Sequence, residues 1–130
     1  ATAKRSAEPG AVAKALVAAT GATWLYVADL DAIVGGRPDA ASVRAVTGAI
    51  GLPVLCDGGF RTAADVAAYR GCGVGYVVGT ETGLPETLLG IGPERCALSI
   101  DLFDGRILGD WARWDVSSDN AVIELVGRAY

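Results

Sequence analysis

Histidine is absent from this chain of 130 residues, and lysine occurs only at Lys4 and Lys14. The first absence removes the commonest metal ligand and the commonest general base together, so acid–base chemistry falls to carboxylates, arginine or a cysteine. The second leaves no lysine at the end of a strand and excludes an aldolase-type Schiff base. Cysteine is sparse and odd in number, at Cys56, Cys72 and Cys96. Two of the three sit in apolar strand contexts, which fits reduced buried thiols rather than a disulfide framework or a metal site. No apolar run approaches the ~18 residues of a membrane span. The amino end, ATAKRSAEPG, lacks the apolar core of a secretory signal. A net charge of −4 with scattered arginines leaves no electrostatic footprint for nucleic acid. The expectation is a soluble, cytoplasmic protein without metal or cofactor, away from membranes and nucleic acid.

What is present is apolar and rich in glycine: 52% hydrophobic residues and 18 glycines, enough for one domain over residues 1–130. Residues 1–7 are too short and polar to supply a strand. From Pro9 to Thr20, Val12, Ala15, Leu16 and Ala19 recur at helical spacing, and Gly21 follows. Trp24 to Asp29 is a continuous apolar run ending in an acid, as expected of a strand covered on both faces. A loop through Gly35 and Gly36 leads to a helix opened by Pro38 and Asp39, with Val43, Val46 and Ile50 on one side. Leu52 to Cys56 predicts a second strand. Thr62 is placed to cap a helix over 63–69, with Asp65 completing a capping box. Gly75 to Gly79 reads as the third strand and Pro85 to Leu89 as a short helix. Cys96 to Asp101 reads as the fourth strand, Asp104-Gly105 as a turn, and Ile107-Leu108 as a short extension. A last helix begins at Ser118 or Asp119 and runs through Val122, Leu125 and Val126.

Strands that recur about every twenty to thirty residues with helices between them are the signature of β/α units and a parallel sheet. The fold class is α/β, a partial (β/α)8 barrel of four parallel strands, since a closed barrel needs about 200 residues or more. Such a sheet leaves its outer strands with unpaired backbone groups or apolar faces. Self-association, or a partner chain carrying the missing strands, is therefore expected; the alternative is an open four-stranded sheet shielded by helices.

Parallel strands joined by a helix bring their carboxyl ends side by side, so the Asp57-Gly58-Gly59 turn and the Gly79-Thr80 turn are expected on one ligand-binding face. Glycine lets an anion approach backbone amides, and a phosphate held by Gly58, Gly59, Arg61, Gly79 and Thr80 is the natural occupant. Three strands end in aspartate, at Asp29 with Asp31 close behind, Asp57 and Asp101. Carboxylates crowded on one rim can separate their pKa values, leaving one as acid and another as base, which makes Asp101, Asp57 and Asp29 the catalytic candidates. The plain alternatives are turn glycines, and aspartates that cap helices or close turns. Trp111 and Trp114 flank Arg113 and suit either a pocket wall or packing.

The segments LYVADLDA at 25–32, LPV through DGGFRT at 52–62, VVGT at 77–80 and SIDLFDG at 99–105 occur in the order found in the ProFAR isomerase and cyclase family of histidine biosynthesis, which the chain resembles over nearly its whole length. The resemblance implies the second to fifth β/α units of a barrel whose two similar halves each bind one phosphate of a bisphosphate substrate. By resemblance, Gly58, Gly59, Gly79 and Thr80 form the first-half phosphate site, and Asp101 is the acid/base of an Amadori-type aldose-to-ketose isomerisation. The partner aspartate of the family's first strand has no counterpart. Asp57 stands where the family usually has glycine. With the DLDAI wording at 29–33, it is similar to a branch found in methanogens and in bacteria with tetrahydromethanopterin-linked one-carbon metabolism. Three readings follow: an isomerase active when assembled, a phosphate-binding or assembly subunit without chemistry, and a flavodoxin-like phosphoacceptor built on Asp57. The last lacks the lysine it needs.

Overall fold

Each early helix begins where a carboxylate can take up amides that the first helical turn leaves unpaired. In the computed structural model, which describes residues 7–114, Glu8 accepts from the amides of Gly10 and Ala11 at the head of α1 (Pro9–Thr20). Asp29 caps α2 (Leu30–Gly35) and Asp39 caps α3 (Ala40–Ile50). Gly21, Gly36 and Gly51 end these helices in the left-handed conformation that glycine reaches without steric cost. Helix α2 occupies the stretch expected as a loop; six residues carry too little periodicity to reveal a helix, and its cap looked like a strand-end acid.

Strands β1 (Leu25–Ala28), β2 (Val54–Asp57), β3 (Gly75–Gly79) and β4 (Cys96–Ser99) form one parallel sheet in the order β1-β2-β3-β4. The expected α/β architecture of parallel strands alternating with helices is present, with strand ends shifted by no more than two residues. Between β2 and β3 the helix expected over 63–69 is present, wound as a 3-10 helix at Ala63–Tyr69. Asp65 accepts from the amides of Arg61 and Thr62 at its head, as a capping residue should. Helix α4 (Pro85–Ile91) and a 3-10 turn at Pro93–Arg95 join β3 to β4. The Asp104-Gly105 turn, with φ of 52° and 76°, closes a hairpin of β5 (Leu102–Phe103) and β6 (Arg106–Ile107). The expected last helix lies outside the described residues.

Alternation along the strands assigns the two faces of the sheet. Leu25, Val27, Val54, Cys56, Tyr76 and Val78 point toward the helices, where Ala13, Val43, Val46, Phe60 and Tyr69 complete the core. Phe60 is 1% exposed and meets the rings of Tyr69 and Tyr76 edge-on at centroid distances of 5.7 and 5.6 Å. Tyr26, Leu55, Asp57, Gly75, Val77 and Gly79 belong to the other face. At the β1 edge that face stays open: Trp24 and Tyr26 are 54% and 53% exposed. Among the described residues the cysteines are free, with Cys56 and Cys72 buried. Burial holds the Cys56 thiol protonated up to about 12, so it packs rather than reacts. Trp114 is buried against Leu88, Leu98, Ile100 and Ile107, while Trp111 is partly exposed.

Candidate functional site

The parallel register sets the carboxyl ends level. Ala28 lies opposite Asp57, and Gly79 opposite Ser99. Pairing between β2 and β3 stops at Cys56 and Tyr76, three residues before β3 ends. Beyond that point the two glycine turns run next to each other. A side chain on Gly83 would come within 3.3 Å of the Phe60 carbonyl, and the Thr87 hydroxyl donates to the Arg61 carbonyl at 2.7 Å. Residues 58–61 and 79–83 therefore form one continuous rim.

The glycines of this rim have distinct physical reasons. Gly59 has a φ of 66°, which a side chain rarely adopts. A Cβ on Gly58 would meet the Tyr69 hydroxyl at 2.8 Å and the Phe60 ring at 2.9 Å. A Cβ on Gly79 would run into the carboxylate of Asp101, so the bare backbone there admits that side chain onto the open face.

Asp101 is held from three directions. Its carboxylate accepts from the Glu81 amide at 3.1 Å and the Ser99 hydroxyl at 2.8 Å, and its amide donates to the Thr80 hydroxyl at 3.0 Å. Its carbonyl accepts from Leu108 at 2.7 Å, which draws the β5-β6 hairpin over this end of the sheet. Asp57 accepts from the Gly59 amide at 3.0 Å on one oxygen and from the Tyr26 hydroxyl at 2.9 Å on the other. Desolvation and the charges of Asp57 and Asp101 push the Tyr26 phenol from 10.0 to about 12, so it stays a proton donor to Asp57 at neutral pH. The sign follows from the raised value: what this contact adds to stability is complete below pH 10 and is lost as pH rises through about 12.

Asp29 is a correction to the expected cluster. It falls on the helix side of β1 with Leu25 and Val27, is 6% exposed, and its oxygens accept from Ala32 at 3.1 Å, Asp39 at 2.7 Å and the Tyr69 hydroxyl at 2.6 Å. One carboxylate thus fastens the starts of α2 and α3 to the 3-10 helix. Tyr69 in turn is held protonated far above its usual range by burial and by Asp29. Facing away from Asp57 and holding three donors, Asp29 serves as a staple between elements.

The amides proposed for phosphate are also partly subscribed. Gly59, Arg61, Thr80 and Glu81 donate to Asp57, Asp65, the Ser99 carbonyl and Asp101 respectively. Two cavities lie elsewhere. One of about 320 Å³ is lined by Tyr69, Arg70, Tyr76 and Arg95 near the amino ends of β3 and β4, and one of about 300 Å³ by Val27, Asp29, Asp39 and Val43 beside β1. Tyr26 escaped the sequence reading because it lies inside an apolar run. Its place two residues before Ala28, which pairs with Asp57, is visible only once the register is known.

No helix among the described residues is long and apolar enough to cross a membrane. The model of the family described as histidine biosynthesis protein matches residues 2–129. Among similar proteins are three named 1-(5-phosphoribosyl)-5-((5-phosphoribosylamino)methylideneamino)imidazole-4-carboxamide isomerase. That of Chloroflexus aggregans is 39% identical over 127 residues, covering 93% of this chain and 52% of the relative. That of Methylobacterium nodulans is 33% identical, covering 96% and 50%, and that of Moorella thermoacetica 34% identical, covering 92% and 51%. The chain spans about half the length of the curated relatives it matches.

Proposed function

Because the chain belongs to the histidine biosynthesis protein family, we propose that its rim of parallel strand ends binds a phosphorylated sugar-like substrate and isomerises it by carboxylate acid–base chemistry. The observation that carries this reading is the placement of Asp101 over Gly79 at the end of β4, beside Thr80 and on the open face. The relatives are named for an isomerase whose substrate carries phosphoribosyl groups, and this is the substrate class adopted here. An aldose-to-ketose rearrangement moves one proton off a carbon and another onto a nearby atom, so a carboxylate able to alternate between acid and base suffices without metal or redox help.

The phosphate takes its place along the rim of Gly58, Gly59, Gly79 and Thr80, with the exposed Arg61 as its charge partner. There it exchanges with the carboxylate that now occupies the Glu81 amide, and the displaced Asp101 turns toward the reacting carbon. Asp57 lies on the same face.

The open edge of β1, with Trp24 and Tyr26 exposed and Leu30 and Val34 at 65% and 85% exposure next to it, calls for further strands to cover it. We place the active form in an assembly, either of copies of this chain or with a chain that supplies the remaining β/α units. Sizing chromatography with isomerase assays across the eluate tests both parts at once. Turnover is expected in material heavier than the 13.2 kDa chain. Turnover confined to single chains removes the assembly, and assembled material that binds the phosphoribosyl substrate without converting it leaves a binding subunit.

A further inference from the structure

We propose that Tyr26 and Asp57 form a specificity-determining pair that takes adjacent sugar hydroxyls of the substrate, beside the phosphate on the same rim. This rests on the rim being the substrate site and names what its second half recognises. Asp57 has one donor on each carboxylate oxygen, the Gly59 amide and the Tyr26 hydroxyl. A carboxylate offers about four acceptor positions, so each oxygen keeps one to spare. The Tyr26 oxygen, having given its proton to Asp57, adds a further acceptor beside them. Three neighbouring acceptors with no donor left suit a vicinal diol, which presents two hydroxyl protons from adjacent carbons.

Charge points the same way. Asp57 and Asp101 both lie on the open face, close enough that both oppose ionisation of Tyr26. The ion pair present among the described residues joins Arg113 to Glu86, so neither aspartate is neutralised by one there. A hydroxyl donating to the Asp57 carboxylate gains a charge-assisted hydrogen bond. Tyr26 is 53% exposed at the edge of β1, which leaves the pair accessible from the open face. Its hydroxyl fixes the direction of the Asp57 carboxylate and keeps a lone pair for the ligand, so both members of the pair touch the diol.

Calorimetric titration of the assembled protein with ribose 5-phosphate, 2-deoxyribose 5-phosphate and inorganic phosphate tests the assignment. Losing one hydroxyl to a charged acceptor is expected to weaken binding about tenfold or more, so the native protein should favour ribose 5-phosphate over its deoxy analogue by that ratio. Asp57→Asn should bring the two sugars close to parity while inorganic phosphate binds as well as before or more tightly. Tyr26→Phe should give an intermediate ratio. A pair with only a structural role would lower all three affinities together. Equal affinity of the native protein for both sugars, with inorganic phosphate still bound, overturns the pair and leaves the phosphate rim standing. Full discrimination in Asp57→Asn also overturns it, and absence of binding by all three probes overturns the pair and the rim together.

Discussion

If the proposed isomerase reading holds, Asp101→Asn is expected to lower kcat of the assembled protein by about 10² to 10⁴, the range seen when a positioned general acid or base is removed. The substitution is chosen because it preserves the local structure. An asparagine can keep its carbonyl oxygen on the Glu81 amide and turn its NH2 toward the Ser99 hydroxyl, which then accepts instead of donating. The Asp101 amide still donates to Thr80, and its carbonyl still accepts from Leu108. Little should change in KM or in the thermal midpoint. The loss therefore falls on the chemical step, the signature of an interaction made chiefly in the transition state. Undiminished kcat in this variant removes Asp101 from the mechanism.

The second large effect concerns stability. Asp29→Ala is expected to cost about 2–4 kcal/mol, since one buried hydroxyl and two half-buried amides lose a charged acceptor at once and an orphaned buried group costs about 1–3 kcal/mol, less than additively. Those donors are the Ala32 and Asp39 amides and the Tyr69 hydroxyl, on three separate segments. Against a total stability of about 5–15 kcal/mol the loss brings a domain of this size close to unfolding. Asparagine is a partial remedy: its oxygen can keep the place that accepts from Asp39 and Tyr69, which leaves its NH2 against the Ala32 amide, so Asp29→Asn should cost less than Asp29→Ala. Urea unfolding measures the difference. Asp29→Ala and Asp29→Asn with midpoints near the parent's would show that the staple contributes little.

These two aspartates show where the sequence could be read and where it could not. Both close a strand in an apolar run, and both look equally catalytic as letters. What separates them is the face of the sheet, a matter of register parity along β1 and β4 and of what packs above each side. Asp29 follows Leu25 and Val27 toward the helices. Asp101 lies across from Gly79, on the other side. The parallel α/β fold was readable because Val27, Cys56 and Val78 belong to uninterrupted apolar runs bounded by glycine and proline, and such runs need no partner to be recognised. Short elements escaped for the opposite reason. Leu30–Gly35 is a helix held mainly by its cap at Asp29, whereas the helix over 63–69 was readable from Thr62 and Asp65 and only its 3-10 winding was not. Tertiary contacts of Tyr69 and Phe60 decide the latter more than local propensity does.

The glycine rim divides in the same way. Its adjacency follows from strands joined by a helix, and Gly83 and Thr87 bring the two turns together beside Phe60 and Arg61. The occupation of its amides by Asp57, Asp65 and Asp101 depends on side-chain positions that no spacing rule supplies. Those carboxylates hold the places an incoming anion would take, so on the proposed reading an anion binds here by exchanging with them.

The most direct measurement is a map of backbone amide shifts in the assembled, isotopically labelled protein as ribose 5-phosphate is added. The account predicts that the largest changes fall on Gly58 to Phe60, on Gly79 to Glu81 and on Asp101. Changes concentrated instead around Tyr69, Arg70 and Arg95, at the 320 Å³ cavity near the opposite end of the strands, would contradict it.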